Sequence, residues 1–223
     1  GSTITGGDGN DSIFVHADLP YEARLVDRST RAQETAAYRA LNPNGLIPAL
    51  ETPHGVLFET GAIVLWLADT HGGLGPAPDD AQRGNWLKWL FFVANTLHPA
   101  LRMTFYPEKY TGTDRRDQAR LRRQLQAQIT DQLRRLDDAA ADWQASAPTV
   151  LDFYIAGCLR WCALYPEDTD RGWFDLSAYP ALHATCSRVE TLPACATLER
   201  AEGLGDTPFT APRAPTPPYG SAT

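Results

Sequence analysis

Four cysteines, Cys158, Cys162, Cys186 and Cys195, are the residues best suited to redox or metal chemistry, and their spacing argues against both. None forms the C-x-x-C pair that thiol exchange and zinc sites use. Cys158 and Cys162 lie four apart and share a helix face, but two thiols without neighbouring His or acidic ligands make a poor metal site. They read as buried thiols of helices, and no metal is expected. Arginine pairs at 115–116, 122–123 and 134–135 alternate with Asp and Gln on a helical pattern, which reads as a solvated face. Thr149 and Asp152 stand at the spacing of a capping box, where hydroxyl and carboxylate each satisfy a backbone N–H at a helix start. Taken singly, Pro48 reads as a loop proline and Thr60 as a bare N-cap.

The elements that must position these residues follow from periodicity. Residues 1–12 are rich in Gly, Ser, Thr, Asn and Asp, with room for a short strand near Ile4; the leading Gly-Ser has the look of a cloning scar. Tyr21 to Val26 alternates as a strand does, and Gln33 to Leu41 reads as a helix. Leu46 to Leu50 and Val56 to Phe58 flank the turn Pro53-His54-Gly55 as two antiparallel strands. Thr60 to His71 carries Ile63, Val64, Leu67 and Ala68 at helical spacing and stops at Gly72-Gly73. After the Gly- and Pro-rich stretch from Leu74 to Pro78 the strand signals vanish. Trp86 to Leu101 is apolar on most faces, as in a helix buried in an interior or at a subunit contact. A long helix from near Asp114 carries one stripe: Leu121, Leu125, Ile129, Leu133, Leu136 and Ala140. Another begins at Thr149.

This order predicts an α/β domain over residues 1–73, an all-α bundle over 79–211 and an extended tail over 212–223. A chain of 223 residues, 43% hydrophobic, can bury two such cores. With Lys plus Arg at 20 and Asp plus Glu at 27, the formal charge of -7 argues against nucleic acid or an anionic membrane as the main partner. No run approaches the roughly 20 apolar residues of a membrane span, and no leader pattern opens the chain, so a cytoplasmic protein is expected.

Asn42-Pro43-Asn44-Gly45-Leu46-Ile47-Pro48-Ala49-Leu50, followed by Phe58-Glu59-Thr60-Gly61-Ala62-Ile63, resembles two linked motifs of the glutathione S-transferase family. Leu19-Pro20-Tyr21-Glu22 is similar to the family's entry into its second strand, and Thr149-Val150-Leu151-Asp152 to the capping motif of its C-terminal domain. The resemblance implies a thioredoxin-like N-terminal domain followed by a helical bundle, with glutathione as co-substrate. It implies that Pro48 is cis and that Ile47 pairs its backbone with the cysteinyl part of glutathione, as an added strand would. By the same resemblance, Thr60 takes the γ-glutamyl carboxylate at a helix N-terminus and Glu59 its ammonium. Homodimers paired through the helices after the boundary are also implied.

The family places Tyr, Ser or Cys after the first strand to hold the glutathione thiol as thiolate. Here Ser12 is the best donor in that place, with Asn10 next, and the absence of cysteine there speaks against mixed-disulfide chemistry. The stretch from Asn10 to Asp18 is shorter than the family's first helix. That leaves a non-catalytic member, a specialised site, or a sequence lacking some residues; a similarly short stretch from Ala145 to Pro148 favours the last. Thr96-Leu97-His98-Pro99 is similar to a segment of bacterial beta-type members whose histidine enters the active site; Pro99 replaces their lysine. His98 is either such a catalytic residue or a helix-end histidine that caps carbonyls. Trp89, Phe92, Met103, Phe105 and Tyr106 are candidate walls for a second-substrate pocket, or core.

Two functions follow. One is an enzyme that activates glutathione for attack on a small electrophile, or processes a glutathione adduct, in detoxification or in biosynthetic sulfur transfer. The other is a non-catalytic protein of the same fold that binds glutathione or another ligand.

Overall fold

Four short strands form one sheet in the order β2-β1-β3-β4: β1 Ser2–Thr5, β2 Tyr21–Arg24, β3 Ala49–Thr52 and β4 Gly55–Phe58. The computed structural model describes residues 2–5, 21–27, 30–167 and 170–216. β1 runs parallel to β2, pairing Ser2 with Tyr21, and antiparallel to β3, pairing Thr5 with Ala49. β3 and β4 are the expected hairpin, joined through Pro53-His54, where Thr52 Oγ1 accepts from the His54 N–H at 3.1 Å and donates to the Gly55 carbonyl at 2.9 Å. The strand expected from Leu46 begins only at Ala49, because Pro48 has no N–H to give to a ladder. The helix expected over Gln33 to Leu41 is split. A 3-10 turn, Ala32–Glu34, precedes α1, Ala36–Leu41, because Thr35 between them is extended and caps α1 through Tyr38 N. α2, Thr60–His71, buries the four predicted apolar residues and stops at Gly72, φ 68°. This is the thioredoxin-like arrangement that the motifs imply.

The chain divides into two compact units, one made of the residues up to Gly75 with Glu190–Pro208 and those from Arg213 on, the other of Pro76–Val189 with Phe209–Pro212. The second unit is helical: α3 Arg83–Phe92, α4 His98–Phe105, α5 Glu108–Thr111, α6 Arg115–Asp138, α7 Ala140–Trp143, α8 Val150–Leu164 and α9 Pro180–Glu190. α10, Pro193–Glu202, falls in the first unit. α6 starts at Asp114, whose side chain accepts from the N–H groups of Arg116 and Asp117, and it buries Leu125, Ile129, Leu133 and Leu136. The apolar run from Trp86 to Leu101 is not one regular helix. A π turn, Val93–Leu97, lies between α3 and α4, immediately ahead of Pro99, which has no N–H for the carbonyl of Asn95. All four cysteines are free and buried in helices, as expected. Among the described residues no helix is long and apolar enough to cross a membrane.

α8 is buried along almost its whole length, and its first turn is fixed by the predicted capping box. Thr149 N and Oγ1 both donate to Asp152 Oδ2, at 2.8 and 2.9 Å, while Leu151 N donates to Thr149 Oγ1 at 3.2 Å. Trp86 Nε1 of α3 also donates to Thr149 Oγ1, at 3.2 Å. Arg188 of α9 pairs with Asp152 Oδ1 and donates to the Ala145 carbonyl at 2.9 Å. Asp152 is wholly buried, so removing its carboxylate leaves the Thr149 N–H and hydroxyl without their acceptor and Arg188 without its counter-charge. Asp152→Ala is therefore expected to cost about 3 to 5 kcal/mol, the range for breaking a buried pair by removing one partner. Urea unfolding is the measurement, with the midpoint falling and the slope unchanged.

Candidate functional site

The register of the sheet brings the two motifs of the first unit to one edge. Ala49 pairs with Phe58 on one side and with Thr5 on the other. The residues just before β3, Ile47-Pro48, and those just after β4, Glu59-Thr60, therefore emerge at the same end of the sheet as the C-terminus of β1. The chain leaves β1 there toward Asn10 and Ser12, which lie outside the described residues.

A buried polar lock holds the loop ahead of β3. The Leu46 carbonyl accepts two hydrogen bonds, from Tyr38 Oη at 2.8 Å and from Asn42 Nδ2 at 2.7 Å, and Asn42 Oδ1 accepts from the Asn44 N–H at 3.0 Å. Asn42 is 2% exposed. Burial pushes the Tyr38 phenol up to about 12, so it stays a donor. Gly45 closes the loop at φ 62°, where a Cβ would stand 3.0 Å from the Gln33 carbonyl oxygen; both the dihedral and the space select glycine. The Ile47–Pro48 bond that follows is cis, as expected. Among the described residues the backbone N–H and C=O of Ile47 make no hydrogen bond.

Glu59, the residue ahead of α2, has φ 72° and ψ 116°. Such a conformation costs a non-glycine residue about 1 to 3 kcal/mol and is found where a site requires it. Its carbonyl still opens the helix, accepting from Ile63 N at 3.0 Å. Neither the Glu59 carboxylate nor the Thr60 hydroxyl has a hydrogen-bond partner among the described residues, and no side chain caps α2. The positive end of a 12-residue helix thus opens at this edge beside a free hydroxyl and a free carboxylate.

His98 belongs to the second unit. It ends the π turn and opens α4, and among the described residues its side chain bonds no carbonyl. Its Nδ1 lies 2.7 Å from Tyr154 Oη on α8, and the two rings meet edge to face at 5.7 Å. The indole of Trp161 lies 5.1 Å from the imidazole. Tyr154 and Trp161, seven apart, share one face of α8; that spacing was the only trace of their role in the sequence, since an aromatic stripe reads equally as core. Arg102, one turn along α4, donates to Tyr110 Oη at 2.8 Å.

The candidate pocket residues are all partly buried and fall into two groups. Trp89 packs edge to face on Phe92 at 5.1 Å, with its Nε1 buried and without a partner among the described residues. Phe105 touches Tyr106 at 6.5 Å and Tyr165 at 5.9 Å, and Lys109 Nζ sits 4.5 Å over the Tyr106 ring. No ring contact among the described residues joins the two groups, and Met103 lies between them in sequence on α4. A cavity of about 270 Å³ in the second unit, lined by Phe174, Asp175, Ser177, His183 and Phe209 among others, contains none of these candidates.

Comparison with known proteins bears on the family and the fold. Residues 12–70 match the model of the glutathione S-transferase N-terminal domain. Glutathione S-transferase GST-4.5 of Xanthomonas campestris pv. campestris is 29% identical over 194 residues, covering 83% of this chain and 89% of the relative. Maleylacetoacetate isomerase of Rhizobium meliloti is 31% identical over 174 residues, covering 74% of this chain and 76% of the relative. The solved glutathione transferase URE2P6 of Phanerochaete chrysosporium, in complex with oxidised glutathione, shares the fold, with a TM-score of 0.74 at 20% identity over 89% of this chain and 94% of that one.

Burial first, and the charge of Arg102 second, hold His98 down to about 4 from its ordinary 6.5. Between those values the unfolded chain binds a proton that the folded protein does not. The contribution to stability is therefore complete above pH 6.5 and is lost as the pH falls toward 4. His98→Gln is expected to remove about 2 kcal/mol of the loss between about pH 7 and pH 5. Urea unfolding of both proteins at the two pH values measures it.

Proposed function

The chain belongs to the glutathione S-transferase family, and from that membership we propose that it is an enzyme that binds glutathione on its first unit and activates the thiol for attack on a small electrophile or for processing of a glutathione adduct. The observation that carries this reading is the pair Glu59-Thr60. A strained backbone, a helix N-terminus and two unpartnered side chains stand at the same sheet edge as the free backbone of Ile47. Those groups match the chemistry of glutathione. The helix end and the Thr60 hydroxyl suit the γ-glutamyl carboxylate, the Glu59 carboxylate suits its ammonium, and an extended backbone suits the N–H and C=O of Ile47.

In this reading the thiol is held by Ser12, with Asn10 the next candidate. The cysteinyl thiol ordinarily titrates near 8.5, and a hydroxyl donor near a helix start brings it toward neutrality. His98 acts on the second substrate, with Trp89, Phe92, Met103, Phe105 and Tyr106 as walls. The relative named maleylacetoacetate isomerase supports the wider class of glutathione-dependent reactions over conjugation alone. The chain pairs as a homodimer in this proposal, because the run from Trp86 to Val93 is more apolar than one buried stripe requires and leaves Phe91 on α3 49% exposed. Sedimentation at micromolar concentration is expected to give twice the chain mass, and a monomer would remove the pairing.

Thr60→Ala is expected to weaken glutathione binding by about 1 to 3 kcal/mol, the cost of losing a hydrogen bond to a charged group. Calorimetry on the wild type and the variant is the test, beside conjugation of glutathione to an aryl halide. Unchanged affinity with the fold intact puts the γ-glutamyl group elsewhere. Retention on immobilised glutathione without turnover replaces the enzyme by a binding protein.

A further inference from the structure

The cavity of about 270 Å³ in the second unit is walled by residues from the end of α8, the stretch around the 3-10 turn Leu176–Ala178, α9 and the segment Phe209–Pro212, all of that one unit. It shares no residue with the candidates for glutathione or for its electrophile. Two of its walls are aromatic. Phe209 is 5% exposed, and Phe174 stacks on Tyr179 at 6.2 Å with the planes 16° apart while meeting Trp173 at 5.8 Å, so its ring is held by two neighbours. A space of this size lies below that of a drug-sized site and suits about one six-membered ring with a short arm.

The polar side chains of the lining point to the sign of that arm. Asp175 is the carboxylate among them, and no lysine or arginine lines the cavity among the described residues. Asp175 caps the 3-10 turn, its Oδ1 accepting from Ser177 N at 2.9 Å, and the Ser177 hydroxyl first and N–H second hold its carboxyl below the usual carboxylate range. It is therefore charged at neutral pH, with lone pairs to spare for further donors. Ser187 on α9 gives its hydroxyl proton to the His183 carbonyl at 3.0 Å, so in the long contact of 3.4 Å between Ser187 Oγ and His183 Nδ1 the ring is the donor. The neutral His183 ring then keeps Nε2 as an acceptor. Among the described residues no three metal-ligating groups gather anywhere, so an organic cation fits these acceptors better than a metal ion does.

We propose that this cavity is a binding site for a small arylalkyl ammonium ion, its ring against Phe174 and Phe209 and its ammonium on the Asp175 carboxylate. Both halves of such a ligand are matched. Phenylalanine rings supply apolar contact and attract a cation over their faces, while the carboxylate accepts charge-assisted bonds from the ammonium. An arylalkyl carboxylate of the same size sets its charge against that of Asp175 and finds no cation in the lining to offset it. A bound ligand touches α9, the 3-10 turn and Phe209–Pro212 together, and so stabilises the seating of that C-terminal segment in the second unit. The site is the same whether the protein is an enzyme or a glutathione-binding protein.

The test titrates phenethylammonium into the full ¹⁵N-labelled chain at neutral pH, with 2-phenylethanol as its neutral and phenylacetate as its anionic counterpart, and reads affinity from the shifts in the two-dimensional NMR spectrum. The wild type is expected to bind phenethylammonium about fivefold more tightly than the alcohol, the upper end for a solvent-exposed ion pair, and phenylacetate more weakly than either. Asp175→Asn keeps a capping side chain and removes the charge. It is expected to weaken phenethylammonium about fivefold and to leave 2-phenylethanol within about twofold. Phe209→Ala is expected to weaken all three probes; should it not fold, Asp175→Asn alone decides. Glu59 offers a second carboxylate at the sheet edge of the first unit, so Glu59→Gln is measured as well and is expected to bind phenethylammonium as the wild type does. The proposal is overturned by a wild type that shows no saturable binding of phenethylammonium, by equal affinity for the three probes, by unchanged affinity in Asp175→Asn, or by loss of binding in Glu59→Gln instead.

Discussion

A carboxylate with no exposure to water must find its hydrogen bonds inside the protein, and Asp152 finds them on two sides. Its own helix start supplies Thr149, α9 supplies Arg188, and through Thr149 the indole of Trp86 on α3 joins the cluster. Satisfying one buried charge thus fixes the start of α8 relative to two neighbours. The consequence reaches chemistry because α8 carries Tyr154 and Trp161, the two rings that hold His98. A helix free to slide or turn by one residue would take the phenol away from the imidazole. The capping box reads as a local motif, yet the whole side-chain arrangement around His98 depends on it.

The first unit meets its constraint with a backbone carbonyl instead. Leu46 C=O sits in a turn where no strand or helix can satisfy it, and Tyr38 and Asn42 both donate to it. That leaves Ile47, the next residue, with its own backbone groups unbonded among the described residues and its side chain packed against the cluster of Val26, Tyr38 and Ala49. The hairpin register then sets the distance to Glu59-Thr60. Antiparallel pairing of Ala49 with Phe58 puts the ends of the two segments side by side whatever their side chains are. Preorganisation here is a property of the backbone, and the side chains that touch a ligand are few.

Charge is handled differently in the two units. At the sheet edge a helix N-terminus and an unpartnered carboxylate stand together, a pattern suited to a zwitterion rather than to a simple anion. In the helical unit burial and a nearby cation keep His98 neutral, and the thiols of Cys158 and Cys162 are pushed up by burial, so neither ionises readily. The cysteines are therefore packing groups, in keeping with their spacing, and the reactive sulfur in the proposed chemistry is that of glutathione.

The sequence by itself determined the order of elements, the hairpin, the long amphipathic helix, the capping box and the two linked motifs, because each is local: a turn residue, a repeat of apolar positions, or a pair at fixed spacing. It did not determine that the helix over Gln33 to Leu41 would break at Thr35, since a capping hydroxyl competes with helix continuation by a margin that a pattern does not show. Nor did it show the π turn before His98, although Pro99 was the cause in plain view. Least legible were the partners of His98. Tyr154 lies 56 residues away on a helix so uniformly apolar that its aromatic positions carry no signal of their own. Only the packing of α4 against α8 chose which ring would meet the imidazole, because contacts between distant segments are set by how whole helices satisfy their buried groups and not by any residue's neighbours in the chain.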